Sequence, residues 1–142
     1  MRVTILLTSF SESESEIRAI RNAVFEDEQH VPPEIDWDGH DGECLHALVL
    51  GDNGEAVGTG RLAPDGKIGR LAVLRFQRGR GFGASLLRAL VEAARNQGLT
   101  KVFLHAQTRA LKFYQQADFQ VSGEPFHEAE IEHFYMSRSL CD

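Results

Sequence analysis

Between Ile68 and Asn96 the chain passes from an apolar segment, Ile68-Gly69-Arg70-Leu71-Ala72-Val73-Leu74, through Arg78-Gly79-Arg80-Gly81-Phe82-Gly83, into a stretch with Leu86, Leu87, Leu90, Val91 and Ala94 at helical spacing. The pattern predicts a strand, a glycine- and arginine-rich turn, and an amphipathic helix ended by Gly98. Gly79, Gly81 and Gly83 lack a Cβ, so several N–H groups can converge on one concavity at the helix start. The partial positive charge of the helix N-terminus and the guanidinium groups of Arg78 and Arg80 reinforce it. A concavity of this kind takes a phosphate or a diphosphate.

Two familiar phosphate-binding patterns do not fit. A P-loop needs Lys and Ser or Thr directly after its last glycine, and Ala84-Ser85 follow Gly83 here. A dinucleotide fingerprint accommodates Gly79, Gly81 and Ala84, yet it needs an acidic residue at the end of the next strand, where His105-Ala106-Gln107 stand. The net charge of −6 argues against a nucleic acid partner, which would need a basic face. A single small anionic cofactor suits a local arginine cluster on an acidic chain.

The rest of the chain reads as alternating strands and helices. Residues 3–8 predict a strand, and Ser11-Glu12-Ser13-Glu14-Ser15-Glu16 the start of a helix that runs to about Gln29 and is ended by Val31-Pro32-Pro33. Residues 34–46 form an acidic loop. Its spacing departs from a calcium loop, because Asp41 stands where glycine is needed and no Glu closes it. That loop reads either as a solvated segment or as an acidic mouth that attracts a cationic amine. Residues 45–50 and 55–62 predict a hairpin around Gly51-Asp52-Asn53-Gly54. Strands at 67–74, 102–106, 119–123 and 134–140 and a short helix at 109–117 complete the order β-α-β-β-β-α-β-α-β-β. With 142 residues, residues 1–142 are expected to form one domain. No membrane span or signal peptide is read, so a cytoplasmic location is expected. Cys44 and Cys141 offer neither a disulfide framework nor metal-ligand spacing, and no metal is expected.

Arg78-Gly79-Arg80-Gly81-Phe82-Gly83 matches the Arg/Gln-x-x-Gly-x-Gly/Ala cradle of the GCN5-related N-acetyltransferases (GNAT) in full. Gln107-Thr108-Arg109-Ala110-Leu111-Lys112-Phe113-Tyr114 with Ala117-Asp118-Phe119 resembles that superfamily's Asn-x-x-Ala-x-x-Phe-Tyr-x-x-x-Gly-Phe segment. Gln107 replaces the usual Asn, and Asp118 the usual Gly, at a position where Asp tolerates a left-handed turn. Together these matches span about residues 56–138. A narrower resemblance, to the ElaA-type branch, lies in Arg21, Val24, Phe25, Glu28 and Gln29, in Asp36 and Asp38, and in Ile131-Glu132-His133 before the last strand.

The resemblance implies a mixed α/β sheet splayed at the cofactor site, helices on both faces, and acetyl-CoA as cosubstrate for an N-acetyltransferase. It implies that backbone groups of Leu71, Ala72 and Val73 meet the pantetheine arm, with the Val73 N–H at the thioester carbonyl. Arg78 to Ala84 would hold the phosphates, Gln107 and Phe113 would flank the arm, and Tyr114 would be the general acid. Glu28 and His105 are the leading candidates for the base, with His46 and His133 behind them. Phe25, Glu28 and Arg21 would face the acceptor, a small-molecule or peptide amine. Arg21 would either hold an acceptor carboxylate or pair with Glu28. A homodimer through sheet edges is a further expectation. A CoA-binding sensor without turnover and an acyl-homoserine-lactone synthase are the alternatives.

Overall fold

The computed structural model describes residues 3–141. Strands β1 (Thr4–Ser9), β2 (Leu45–Leu50), β3 (Ala56–Leu62) and β4 (Ile68–Val73) form one antiparallel sheet in that order. In the second sheet β5 (Lys101–Gln107) pairs with β8 (Ile131–Ser139), which also pairs β6 (Gln120–Val121) and β7 (Phe126–Glu128). Helices α1 (Phe10–Arg21), α2 (Pro33–Asp36), α3 (Phe82–Asn96) and α4 (Leu111–Gln115) connect them, and α1 continues as a π-helical segment, Asn22–Glu28. This is the mixed, splayed α/β architecture expected.

The differences from expectation are local. Helix α1 starts at Phe10, because Ser9 is its cap: the Ser9 Oγ accepts from the Glu12 N–H at 3.2 Å and donates to the Glu12 carboxylate at 2.9 Å. Strand β7 was not expected, and Ile131-Glu132-His133 lies inside β8 rather than before it. The turn between them consists of Ala129 and Glu130, both left-handed at φ 51° and 63°. Such a turn ordinarily carries Asn and Gly, so its chemical signature is missing from the sequence.

Packing follows the amphipathic pattern. Leu86, Leu87, Leu90, Val91 and Ala94 of α3 are buried against one face of the first sheet and against Val102, Leu104 and Met136 of the second. Ile17, Ile20 and Val24 pack on Leu48 and Ala72 at the opposite face. Helices therefore cover both sides of β2, β3 and β4, and these strands become almost wholly apolar.

Strand β4 is the point where the sheets part. Among the described residues its backbone link to β5 lies just before β4 begins: a parallel bridge between Lys67 and Phe103, and the Phe103 N–H donated to the Gly66 carbonyl at 3.1 Å. Against β3 its register slips between Thr59 and Arg61, so Arg70 and Leu71 together stand opposite Gly60. Arg70 adopts φ 52° there. A Cβ on Gly60 would sit 2.7 Å from the Leu71 side chain, so glycine is what lets the bulge close onto β3.

The acidic segment 34–46 is neither wholly solvated nor an open acidic mouth: its backbone runs along the surface, but two of its aspartates turn inward. Asp36 and Asp41 are buried, and three arginines reach them. Arg21 donates to Asp36 Oδ1 at 2.8 Å and to Asp41 Oδ1 at 2.6 Å, and Arg61 to Asp41 Oδ1 at 2.9 Å and to both oxygens of Asp38. Arg70, aimed by the bulge, donates to the carbonyls of Ile35 and Asp36 and to Asp38. Trp37 lies on the Arg21 guanidinium, 4.0 Å from ring centre to carbon. Hydrogen bonds from Arg61 hold the Asp38 carboxyl well below the usual range. Burial opposes ionisation of Asp41, and the bonds from Arg21 and Arg61 outweigh it and bring it down as well. Burial pushes Asp36 up despite Arg21.

Removing one partner from such a network strands a buried charge, so Arg61→Ala is expected to lower stability by about 3–5 kcal/mol in urea unfolding. Asp38 and Asp41 have depressed folded values, so their contribution is complete above the unfolded range near about pH 4 and is lost as pH falls below it. Asp36 runs the opposite way. An acid titration followed by emission from Trp37, the chain's single tryptophan, should report release of this segment below about pH 4.

Candidate active site

The glycine-rich turn is a cradle of free amides. Gly79 and Gly81 are left-handed, at φ 81° and 83°, and Gly81 caps α3. The first N–H of α3 to find a helical acceptor is that of Ser85, on the Gly81 carbonyl at 3.1 Å. The N–H groups of Phe82, Gly83 and Ala84 therefore have no carbonyl within the helix and point out of its N-terminus. These donors fit a diphosphate. The Phe82 side chain is core, and only its backbone faces the cradle. Phe113 packs against Gly83 and, with Ala84 and Leu87, lines a cleft of about 260 Å³ between α3 and α4.

The two guanidiniums predicted to flank the phosphates are engaged elsewhere. Arg78 donates from Nε to the Val73 carbonyl at 2.9 Å and from both terminal nitrogens to the Glu28 carboxylate at 2.6 and 2.7 Å. Arg80 bonds Gln77 and Asp52. The cradle thus rests on backbone amides, with side-chain charge held around it.

Beside the cradle, the gap between β4 and β5 opens into a slot of about 280 Å³. Leu74 donates its N–H to the Val57 carbonyl, so it faces β3, and Val73 consequently turns its N–H and C=O to the slot. The Arg78 bond to the Val73 carbonyl has the same direction. The Ala72 side chain is buried on the α1 side, and β4 lines the slot through Ile68, Gly69, Arg70 and Leu71. Counting from the Lys67–Phe103 bridge, Gly69 stands level with His105, and a Cβ there would meet nothing within 4 Å.

Tyr114 closes one end of the slot. Its ring is T-shaped against Phe113 and Phe119, and its hydroxyl has no hydrogen-bond partner among the described residues. Burial pushes it up to about 12. Asp118 takes the left-handed turn after α4, φ 69°, and the Phe119 N–H returns to the Tyr114 carbonyl at 3.1 Å, which anchors that ring's backbone. Gln107 donates to Gln29 at 3.4 Å and accepts from Arg109 at 2.9 Å. On the other wall, His105 is bonded to Glu128 at 2.6 Å, and Phe25, His133 and Ile131 complete the lining.

Several candidate residues stand in other roles than expected. Arg21 is fully buried in the aspartate network, touches neither Glu28 nor the slot, and presents nothing to an acceptor. Glu28 lies outside the slot, at its mouth with Arg109 and Glu132. The hydrogen bonds from Arg78 draw its carboxyl down, against the requirements of a base. His46 is buried and bonded to the Asp41 carbonyl at 3.0 Å, and burial lowers it, so it is a neutral core imidazole. Of the base candidates, the structure brings His105 and His133 to the slot. Glu128 went unnoticed because it lies on the strand whose turn carried no signal.

A gap between strands that ends at an amide cradle suits a long, thin thioester arm joined to a diphosphate, the shape of acyl-coenzyme A. The class defined is the acyltransferases that draw on acyl-CoA. The chain belongs to the GNAT acetyltransferases, whose acetyltransferase (GNAT) domain model matches residues 10–140, and within them to the ElaA-like branch. It is 37% identical over 127 residues to the uncharacterized protein YyaT of Bacillus subtilis, covering 85% of each chain. It is 36% identical over 123 residues to the uncharacterized N-acetyltransferase YjcF of the same organism, covering 84% of this chain and 87% of that one. Escherichia coli ElaA superposes with a TM-score of 0.82 at 27% identity, over 96% of this chain and 99% of that one. An acyl-CoA N-acyltransferase from Pseudomonas aeruginosa gives 0.84 at 27%, with the same coverage.

Because a Cβ at Gly81 would meet nothing within 4 Å, Gly81→Ala perturbs the cradle through its backbone angle alone, at about 1–2 kcal/mol. Calorimetric titration with CoA should show binding weakened about tenfold while the fold persists.

Proposed function

We propose that the protein transfers an acetyl group from acetyl-CoA to the amino group of a small molecule or peptide, by direct attack in a ternary complex. The observation that carries this reading is the Tyr114 hydroxyl: a half-buried phenol, without a partner among the described residues, at the wall of the slot between β4 and β5. The cradle N–H groups would hold the diphosphate, and the Val73 N–H would draw charge onto the thioester oxygen as the amine adds. Tyr114, raised to about 12, keeps its proton at any physiological pH and can give it to the departing sulfur. His105, on the opposite wall, would accept the proton of the incoming ammonium. Phe25 supplies an apolar wall for the acceptor's body.

The test is thiol release from acetyl-CoA across a panel of primary amines and short peptides. Tyr114→Phe should lower kcat by about a hundred- to ten-thousandfold while the Kd for CoA stays the same. His105→Ala should also lower kcat. Since Tyr114 holds its proton up to about pH 12, no loss of rate on the alkaline side below about pH 11 should be traceable to it. Binding of acetyl-CoA without turnover over the whole panel would favour a sensor, and turnover dependent on S-adenosylmethionine a lactone synthase.

A further inference from the structure

We propose that Glu128 is a positioning residue for His105, so that proton acceptance is the work of a carboxylate–imidazole pair. The inference rests on the reading of His105 given above and deepens it. Glu128 Oε1 and His105 Nδ1 are 2.6 Å apart. A carboxylate oxygen only accepts, so Nδ1 carries the proton and Nε2 is left with its lone pair. The ring plane is fixed from two further sides, edge-on to Phe126 at 5.0 Å and tilted against Tyr135 at 6.3 Å. His105 and Glu128 both line the slot that holds Tyr114.

The chain builds this pair deliberately. Phe126 and Glu128 alternate along β7 and so share one face. Their register on β8, Phe126 opposite His133 and Glu128 opposite Ile131, is set by the two left-handed residues Ala129 and Glu130. The hairpin thereby lays a carboxylate over the middle of β5. His133, the other imidazole at the slot, is occupied structurally: its Nδ1 donates to the Ile131 carbonyl at 2.7 Å, and its ring stacks on Phe126 at 6.0 Å.

In the step, His105 Nε2 takes one proton from the substrate ammonium and becomes an imidazolium, stabilised by the Glu128 carboxylate without rotation of the ring. The freed nitrogen lone pair forms the C–N bond at the thioester carbonyl carbon, and the C–S bond breaks. The sulfur takes the Tyr114 proton. The surplus proton on the new amide nitrogen returns to Tyr114 through water, and His105 releases its proton to solvent.

The experiment combines spectroscopy and kinetics. In protein labelled with 15N-histidine, long-range 1H–15N correlation at a pH where His105 is neutral should show it as the Nδ1–H tautomer. Glu128→Gln should keep that tautomer, and Glu128→Ala should release it to a mixture. With acetyl-CoA and the first panel amine turned over by the wild type, Glu128→Ala should lower kcat about ten- to a hundredfold with the KM for acetyl-CoA unmoved, and Glu128→Gln should recover part of the loss. An Nε2–H tautomer in the wild type overturns the inference, as does a Glu128→Ala loss seen only in KM or melting temperature. An unchanged kcat in Glu128→Ala beside a collapsed His105→Ala overturns the pair and spares the base. An unchanged kcat in His105→Ala overturns the base assignment and this inference with it.

Discussion

Everything in this molecule turns on β4 being unable to stay with β5. The two strands share one bridge, at Lys67 and Phe103, and then diverge. The divergence is held open from the other edge: the bulge at Arg70 and Leu71 bends β4 toward β3, and Gly60 makes room for the Leu71 side chain. A strand that kept its ladder would bury the Val73 amide in a hydrogen bond, and no thioester could reach it. The unpaired edge, a liability in most sheets, is here kept open beside the slot.

The same bulge reaches the other side of the protein. With φ 52°, Arg70 throws its side chain across to the carbonyls of Ile35 and Asp36 and to Asp38, where Arg21 and Arg61 already meet the aspartates. The segment 34–46 is thus fastened to the strand whose free edge lines the slot. Arg78 repeats the device at the slot mouth by tying the Val73 carbonyl to Glu28 at the end of the π-helical segment. Buried arginine–carboxylate pairs add little net stability compared with apolar packing, but they fix geometry.

Much of this was legible in the sequence, because it depends on short-range rules. The cradle was marked by glycines before an amphipathic helix, and the α3 core face by its 3.6-residue period. Asp118 was readable as a left-handed helix end. The parts that escaped depend on partners distant in the chain. The aspartates of residues 34–46 looked like a charged surface because nothing local announces that Arg21, Arg61 and Arg70 converge on them. Arg21 matched a branch pattern, and its role as a buried strut emerges only from the fold. Glu128 was hidden by an Ala-Glu turn that lacks the Asn and Gly such turns ordinarily carry. Glu28 read as a base from its place in a helix pattern, and only the geometry reveals that Arg78 claims it.

The π-helical segment Asn22–Glu28 carries a consequence for how such a site can change. A π-turn holds one residue more than an α-turn needs, and it decides the direction in which Phe25 and Glu28 project. Losing a single residue there would restore the ordinary helix with its flanking turns in place, and would change which side chains the segment itself presents. The wall that carries Phe25 would then present different chemistry while the cradle, the strand edge and the phenol stayed as they are. One codon's deletion would thus alter the face beside the slot without touching the glycine turn.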